Sequence, residues 1–258
     1  MKLFTALLTC TIPSRTFAPV KHLPNFLTLM NLFAGCLAVV ALFKGNTDLA
    51  GMFIIAALVC DFFDGFVARL VGASGDLGKQ LDSLADMVSF GLVPGVVMYQ
   101  LFGKALWIQT MGQPSALDYG QYFMFIVTLF ACLRLAKFNI DTRQTSSFVG
   151  LPVPANTLFI MSLPFIFEHD TIGVGRYLMN PYILIGIAAL SAWIQVAEIP
   201  MISLKISSKN IGDYKGQIIL LLAAIVLIPV LKFGALPMII FLYILLSLIF
   251  PPHKTSHP

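Results

Sequence analysis

Eight apolar runs, each close to the length that carries a helix across a bilayer, follow one another between residues 24 and 250. Bounded by Pro, Gly and charge, they cover 24–44, 48–71, 78–103, 118–138, 153–168, 181–203, 216–232 and 234–250. A water-soluble domain is charged at about a quarter of its positions, whereas this 258-residue chain is 11% charged and 58% hydrophobic. The expected fold is all-α, a polytopic membrane bundle of about eight transmembrane helices with no room for a separate soluble domain. A transmembrane barrel is excluded, because its segments of about ten residues alternate apolar and polar.

Charge sets the orientation. With a cytoplasmic amino terminus, twelve of the sixteen Lys and Arg residues fall on the cytoplasmic side, and only Lys44, Lys104, Arg176 and Lys232 on the other. Both termini are expected inside. Residues 1–20 carry Lys2, a short apolar stretch and Cys10, superficially like a signal peptide, but they lack its length and small-residue cleavage pattern. They read instead as an interfacial helix on the cytoplasmic surface, with Lys2, Arg15 and Lys21 near anionic headgroups. The loops from Lys104 to Tyr119, Asn139 to Pro152 and Lys205 to Lys215 hold most of the polar residues. Cys10, Cys36, Cys60 and Cys132 form no metal spacing and read as small core residues.

Against this background, Asp61, Asp64, Asp82 and Asp86 stand in or at the ends of apolar helices within a 26-residue stretch. An ionised carboxylate in mid-span costs about 2.5–3.5 kcal/mol, so four neighbouring ones call for compensation by a cation. At about 100° per residue, Asp61, Asp64, Gly65 and Ala68 share an arc of about 100°, and Gly78, Asp82 and Asp86 an arc of about 80° on the next helix. The reversal at Leu70–Leu77 lets these faces oppose each other near the cytoplasmic ends of the two helices. Four converging carboxylates make a hard, all-oxygen site suited to Mg²⁺ or Mn²⁺ and not to zinc. Two such ions about 4 Å apart can clamp a phosphoryl group. Gly65 and Ala68 leave that face bare for a bulky ligand or for a close helix crossing, and Arg69 can contact phosphate or pin a carboxylate.

These residues read D-x2-D-G-x2-A-R-x8-G-x3-D-x3-D, from Asp61 through Asp64, Gly65, Ala68, Arg69 and Gly78 to Asp82 and Asp86. The pattern resembles the signature of the CDP-alcohol phosphotransferase family at every fixed position. That resemblance implies a metal-dependent membrane enzyme that transfers a phosphatidyl-type group from a CDP-activated lipid to an alcohol and releases CMP. It also implies a site in which Asp61, Asp64, Asp82 and Asp86 hold two divalent ions, with Asp86 doubling as the base for the alcohol proton, and a homodimer. The implied organisation is an interfacial segment at 1–20 and one membrane domain at 21–258, its catalytic core at about 24–168. No nucleic-acid partner is expected.

Two flanking segments bear on the acceptor. Asn25, Thr28 and Asn31 recur on one side of the first span after Pro24, where they can bind nucleotide or headgroup, or serve as caps and interhelical contacts. Arg134-Leu135-Ala136-Lys137-Phe138-Asn139 and Phe148-Val149-Gly150-Leu151-Pro152-Val153-Pro154-Ala155-Asn156 resemble the corresponding segments of the family's phosphatidylserine synthases, with Lys137 where Arg is usual. This implies CDP-diacylglycerol and L-serine as substrates. Asn25, Thr28, Gly65, Ala68, Arg69 and Gly78 would then face the CDP group, and Asn31, Arg134, Lys137 and Asn139 the serine or a phosphate. Arg134, Lys137 and Arg143 read equally as positive-inside anchors, and Gly150–Pro154 as a pocket wall or simply a rigid entry to the fifth helix. The alternatives are another acceptor, such as glycerol phosphate or inositol phosphate, an archaetidylserine synthase using an ether-lipid donor, and, from another class, an ion or proton transporter with intramembrane Asp.

Overall fold

The computed structural model describes residues 22–72, 75–140, 148–170, 173–202, 215–231 and 234–249. The proposed interfacial segment, Arg143, Lys205, Lys209 and the carboxy terminus lie outside them. The described chain is nearly all helix: α1 (Leu23–Phe43), α2 (Thr47–Val71), α3 (Asp76–Thr110), α4 (Ala116–Ile140), α5 (Val153–His169), a single turn α6 (Gly175–Leu178), α7 (Pro181–Val196), α8 (Lys215–Leu231) and α9 (Ala235–Ile249). Helices α1 to α4 are long and apolar enough to cross a membrane, whereas α5 and α7 to α9 have 15 to 17 residues. Outward-facing Phe26, Phe33, Val40, Met52, Ile55 and Phe62 give α1 and α2 an apolar exterior, as a membrane protein requires.

Local chemistry sets the first three helices against each other. Gly45, at φ +72°, reverses the chain after α1, and the Asn46 side chain caps α2 by accepting from the Leu49 N–H at 2.9 Å. Helices α1 and α2 therefore run antiparallel, and buried Ala34, Ala38, Ala41, Ala50 and Ala57 let them approach closely. Helix α3 returns alongside α1. The Ser89 hydroxyl donates to the Asn31 carbonyl at 2.9 Å and the Gln100 amide to the Leu42 carbonyl at 2.8 Å. At Gly35 any side chain would collide with Ser89, whose Cα lies 2.9 Å from where a Cβ would stand.

Helix α3 is the axis of the core. Its Val93, Val97, Met98, Leu101, Phe102 and Ala105 pack against Ala38, Leu42, Ile54 and Ile160. It runs on to Thr110 and so shortens the expected Lys104–Tyr119 loop, because Ala105 and Leu106 are buried and extend the apolar face. Within α3, residues Met87–Leu92 form a π turn. Pro94 has no N–H, so the Phe90 carbonyl one turn earlier loses its helical partner. The Thr157 hydroxyl of α5 donates to that carbonyl at 2.8 Å, and the Thr128 hydroxyl of α4 to the Gly91 carbonyl at 2.9 Å. Thr157→Val should therefore lower stability by about 1–2 kcal/mol, read as a fall in detergent-phase melting temperature, whereas Thr157→Ser should keep it.

Two expectations are corrected. The sixth run ends at Val196 and not at 203, Pro200 disfavouring helix at Ile199 before it. Pro200–Met201 instead pairs antiparallel with Phe148–Val149, a two-residue ladder in an otherwise helical bundle. Gly150, at φ +77°, donates to the Ile199 carbonyl at 2.9 Å, so the Gly-Leu-Pro segment fastens the exit of α7. Cys36 and Cys132 are exposed and face outward, since a helix crossing lipid has no polar face to turn away from the core. Cys10 lies outside the described residues.

Candidate active site

Helices α2 and α3 each deliver two carboxylates to the end of the bundle where α1 begins. Asp61, Asp64 and Asp82 each present an oxygen within 4.8 Å of the others. Asp86 lies one turn further along α3 and is 8% exposed, within electrostatic range of all three. Residues of α1 fix two of them. The Thr28 hydroxyl donates to Asp64 Oδ2 at 2.6 Å, and Asn31 Nδ2 donates to Asp86 Oδ1 at 3.0 Å. Among the described residues the salt bridge is Lys104–Glu168, at the far end of α3, and the three clustered carboxylates have none. Carboxylates drawn together without a neutralising side chain, and offering only oxygen, fit a divalent metal.

Beside this cluster opens a cleft of about 320 Å³ lined by Pro24, Asn25, Thr28, Asp64, Gly65, Ala68, Gly75, Gly78, Lys79 and Asp82. Of the residues expected to face a CDP group, Asn25, Thr28, Gly65, Ala68 and Gly78 line it, and exposed Arg69 does not. A Cβ at Gly65 would meet nothing within 4 Å, so this glycine is bare toward the cleft and not pressed into a helix crossing. Pro24, Gly75 and Lys79 are additions. Lys79 follows the motif glycine directly, but its charge is as readily assigned to the positive-inside pattern.

On the far side of Asp86 the expected acceptor residues separate. Arg134 is 7% exposed, its Nε has no hydrogen-bond partner, and its guanidinium lies within electrostatic range of Asp86 and of Tyr243 on α9. Lys137 is exposed. The Asn139 side-chain amide donates to Ser83 Oγ at 2.8 Å while its Oδ1 is buried without a partner, as is Asn31 Oδ1 beside Asp86. Tyr243, whose hydroxyl donates to the Ile202 carbonyl at 3.0 Å, is more than a hundred residues from Arg134 in sequence. No local pattern signals that approach.

The geometry can be set beside known proteins. A family model described as CDP-alcohol phosphatidyltransferase matches residues 21–199, a stretch that contains all four aspartates and the cleft. The chain belongs to the CDP-alcohol phosphatidyltransferase family. Among curated members, the CDP-diacylglycerol–serine O-phosphatidyltransferase of Bacillus subtilis is 32% identical over 157 residues, 60% of this chain and 82% of that protein. A Helicobacter pylori protein of the same name is 30% identical over 148 residues, 55% of this chain and 57% of its own length. An archaetidylserine synthase of Methanothermobacter thermautotrophicus is 30% identical over 142 residues, 54% of this chain and 56% of its own. The match thus spans most of the Bacillus relative and somewhat over half of the other two. Helices α8 and α9, with Tyr243, lie beyond the part that defines the CDP-alcohol phosphatidyltransferase family here.

Proposed function

We propose that this chain is a phosphatidylserine synthase, transferring the phosphatidyl group of CDP-diacylglycerol to the hydroxyl of L-serine and releasing CMP. The observation that carries the reading is a bare-walled cleft ending on a cluster of carboxylates, with a buried, incompletely bonded arginine within range of the last one. The names of the curated relatives support the choice of serine and of a CDP-lipid. The wider reading is an eight-span protein of the cytoplasmic membrane, site and termini toward the cytoplasm, with a catalytic core within 24–168, acting as a homodimer among membrane lipids.

Each side chain has a task in that reaction. Asp61, Asp64, Asp82 and Asp86 would hold Mg²⁺ or Mn²⁺, two ions in all. Bound there, the metal neutralises charge on the diphosphate and on the departing CMP. Thr28 holds Asp64 and Asn31 holds Asp86 in fixed orientations, so neither carboxylate needs to reorganise during the reaction. Gly65 and Ala68 admit the CDP group, with Asn25 and Gly78 opposite. Asp86 accepts the hydroxyl proton as the serine oxygen forms its bond to the lipid-side phosphorus and the bond from phosphorus to the CMP oxygen breaks. Arg134 offers its free Nε–H to the serine carboxylate, and the unpaired Asn31 Oδ1 can accept from the serine ammonium.

Two measurements test this. Purified protein in detergent, given CDP-diacylglycerol, Mn²⁺ or Mg²⁺ and a panel of alcohols, should release CMP with serine and form phosphatidylserine. Turnover with glycerol phosphate or inositol phosphate in place of serine would overturn the acceptor, and preference for a CDP-activated ether lipid would overturn the donor. Within the serine reading, Arg134→Gln should raise the serine KM about ten- to hundredfold, the worth of a charge-assisted hydrogen bond. The CDP-lipid KM should stay near wild type. Lys137→Gln, at an exposed position, should change the serine KM little.

A further inference from the structure

Helix α9 follows the residues that define the family, yet it is bonded into the middle of the chain. Ile202, just past the short ladder, is gripped on both of its backbone groups: its N–H donates to Ser247 Oγ at 3.1 Å, and its carbonyl accepts from the Tyr243 hydroxyl at 3.0 Å. Ser247 Oγ in turn donates to the Tyr243 carbonyl one turn back, at 2.7 Å. Leu151, Met201, Ile202, Tyr243 and Leu246 close around these bonds as one apolar cluster, so the Tyr243 ring is buried and held.

The direction of one hydrogen decides what that hydroxyl can do next. A carbonyl only accepts, so the Tyr243 hydrogen points at Ile202, and the phenolic oxygen keeps only lone pairs for any other neighbour. The charged side chain whose field reaches it is Arg134. Arginine carries five N–H donors in a planar fork and no acceptor, and a carboxylate engages two of them at most in the forked pairing. Arg134 is buried with its Nε unpaired, and among the described residues it forms no salt bridge. A neutral oxygen beside it can fix the plane of the fork and leave its charge intact. A carboxylate in that place would neutralise the charge that an anionic group of the acceptor needs.

We propose that Tyr243 is a positioning residue for Arg134, its committed hydroxyl presenting lone pairs that turn the guanidinium toward the serine carboxylate. Helix α9 thereby takes part in acceptor selection. The assignment rests on the reading of Arg134 as the contact to that carboxylate.

The test is a double-mutant cycle on full-length protein in detergent, with saturating CDP-diacylglycerol and Mn²⁺ and CMP release followed against serine. Tyr243→Phe keeps the ring in its cluster and should raise the serine KM about three- to tenfold, the worth of one hydrogen bond of ordinary strength. The kcat and the CDP-lipid KM should stay near wild type. In an Arg134→Gln background the same change should add less than about twofold, because the two side chains act as one unit. Ser247→Ala removes the other half of the grip on Ile202 and should lower the melting temperature with the serine KM unchanged. A wild-type serine KM in Tyr243→Phe, an equal effect of Tyr243→Phe in both backgrounds, or an equal rise of the serine KM in Ser247→Ala would each overturn the assignment while the serine reading stands. An unchanged serine KM in Arg134→Gln would overturn the role of Arg134 itself, and that of Tyr243 with it.

Discussion

Asp82→Asn protein should bind Mn²⁺ at least a hundredfold more weakly than wild type and turn over at less than about a thousandth of its rate. The magnitude follows from the chemistry of the ligand. A neutral amide offers a hard divalent ion one weaker oxygen and no charge, and Asp82 is, among the described residues, one of three carboxylates whose oxygens meet within 4.8 Å. Asp61→Asn and Asp64→Asn should behave alike. Removing one acid also relieves repulsion between the others, so the variant should be as stable as wild type without metal, or more so. Metal binding by electron paramagnetic resonance, melting temperature and CMP release separate these effects. Full turnover in excess chelator would sink the metal site altogether.

The second large effect has the opposite structural cause, since it adds atoms. Glycine inside a helix costs about 1 kcal/mol relative to alanine, and Gly65 lies inside α2, before its last turn. A Cβ there would touch nothing within 4 Å, so packing does not explain why the cost is tolerated. Gly65→Leu should therefore raise the melting temperature, or at least hold it, while pushing CDP affinity below detection because the side chain fills the cleft. Gly65→Ala should give the stability gain with a smaller loss of binding. A Gly65→Leu protein that binds CDP normally would move the nucleotide site elsewhere.

Much of this architecture is legible in the sequence, for identifiable reasons. Span-length apolar runs separated by Pro, Gly and charge leave few options for where helices lie, and each expected run has a helix in the structure. The carboxylate faces follow from helical angles alone. By the same arithmetic Arg69 stands about 80° from Asp61 and outside the arc that holds Asp64, Gly65 and Ala68, which is why it misses the cleft. The rest needed tertiary information. Arg134 and Lys137 look equivalent along the chain, and only the packing around α4 buries one and leaves the other exposed. Lys79 reads as a topological charge until the end of α4 is seen against it. The π turn has no periodic signature; Pro94 hints at a broken ladder, but the hydroxyls that mend it come from helices 34 and 63 residues downstream of it.

That widened turn also governs how the chain can change over generations. It stands between Asp86 and the core half of α3, so the two halves of one helix share an axis with one residue more between them than a regular helix needs. Losing a single residue between Met87 and Leu92 would make the helix regular and, by that measure, better. It would leave Asp82 and Asp86 close to their present angle to Val93 and Phe102, because a π turn closes its hydrogen bonds five residues back and so takes up one extra residue without turning the helix on either side. Insertions and deletions are free to accumulate in the loops of such a lineage. Within α3, this one turn is where a residue can be lost with the carboxylates still facing Asp61 and Asp64, whereas a deletion in the regular helix between Val93 and Phe102 would swing them by about 100° against the core beyond it.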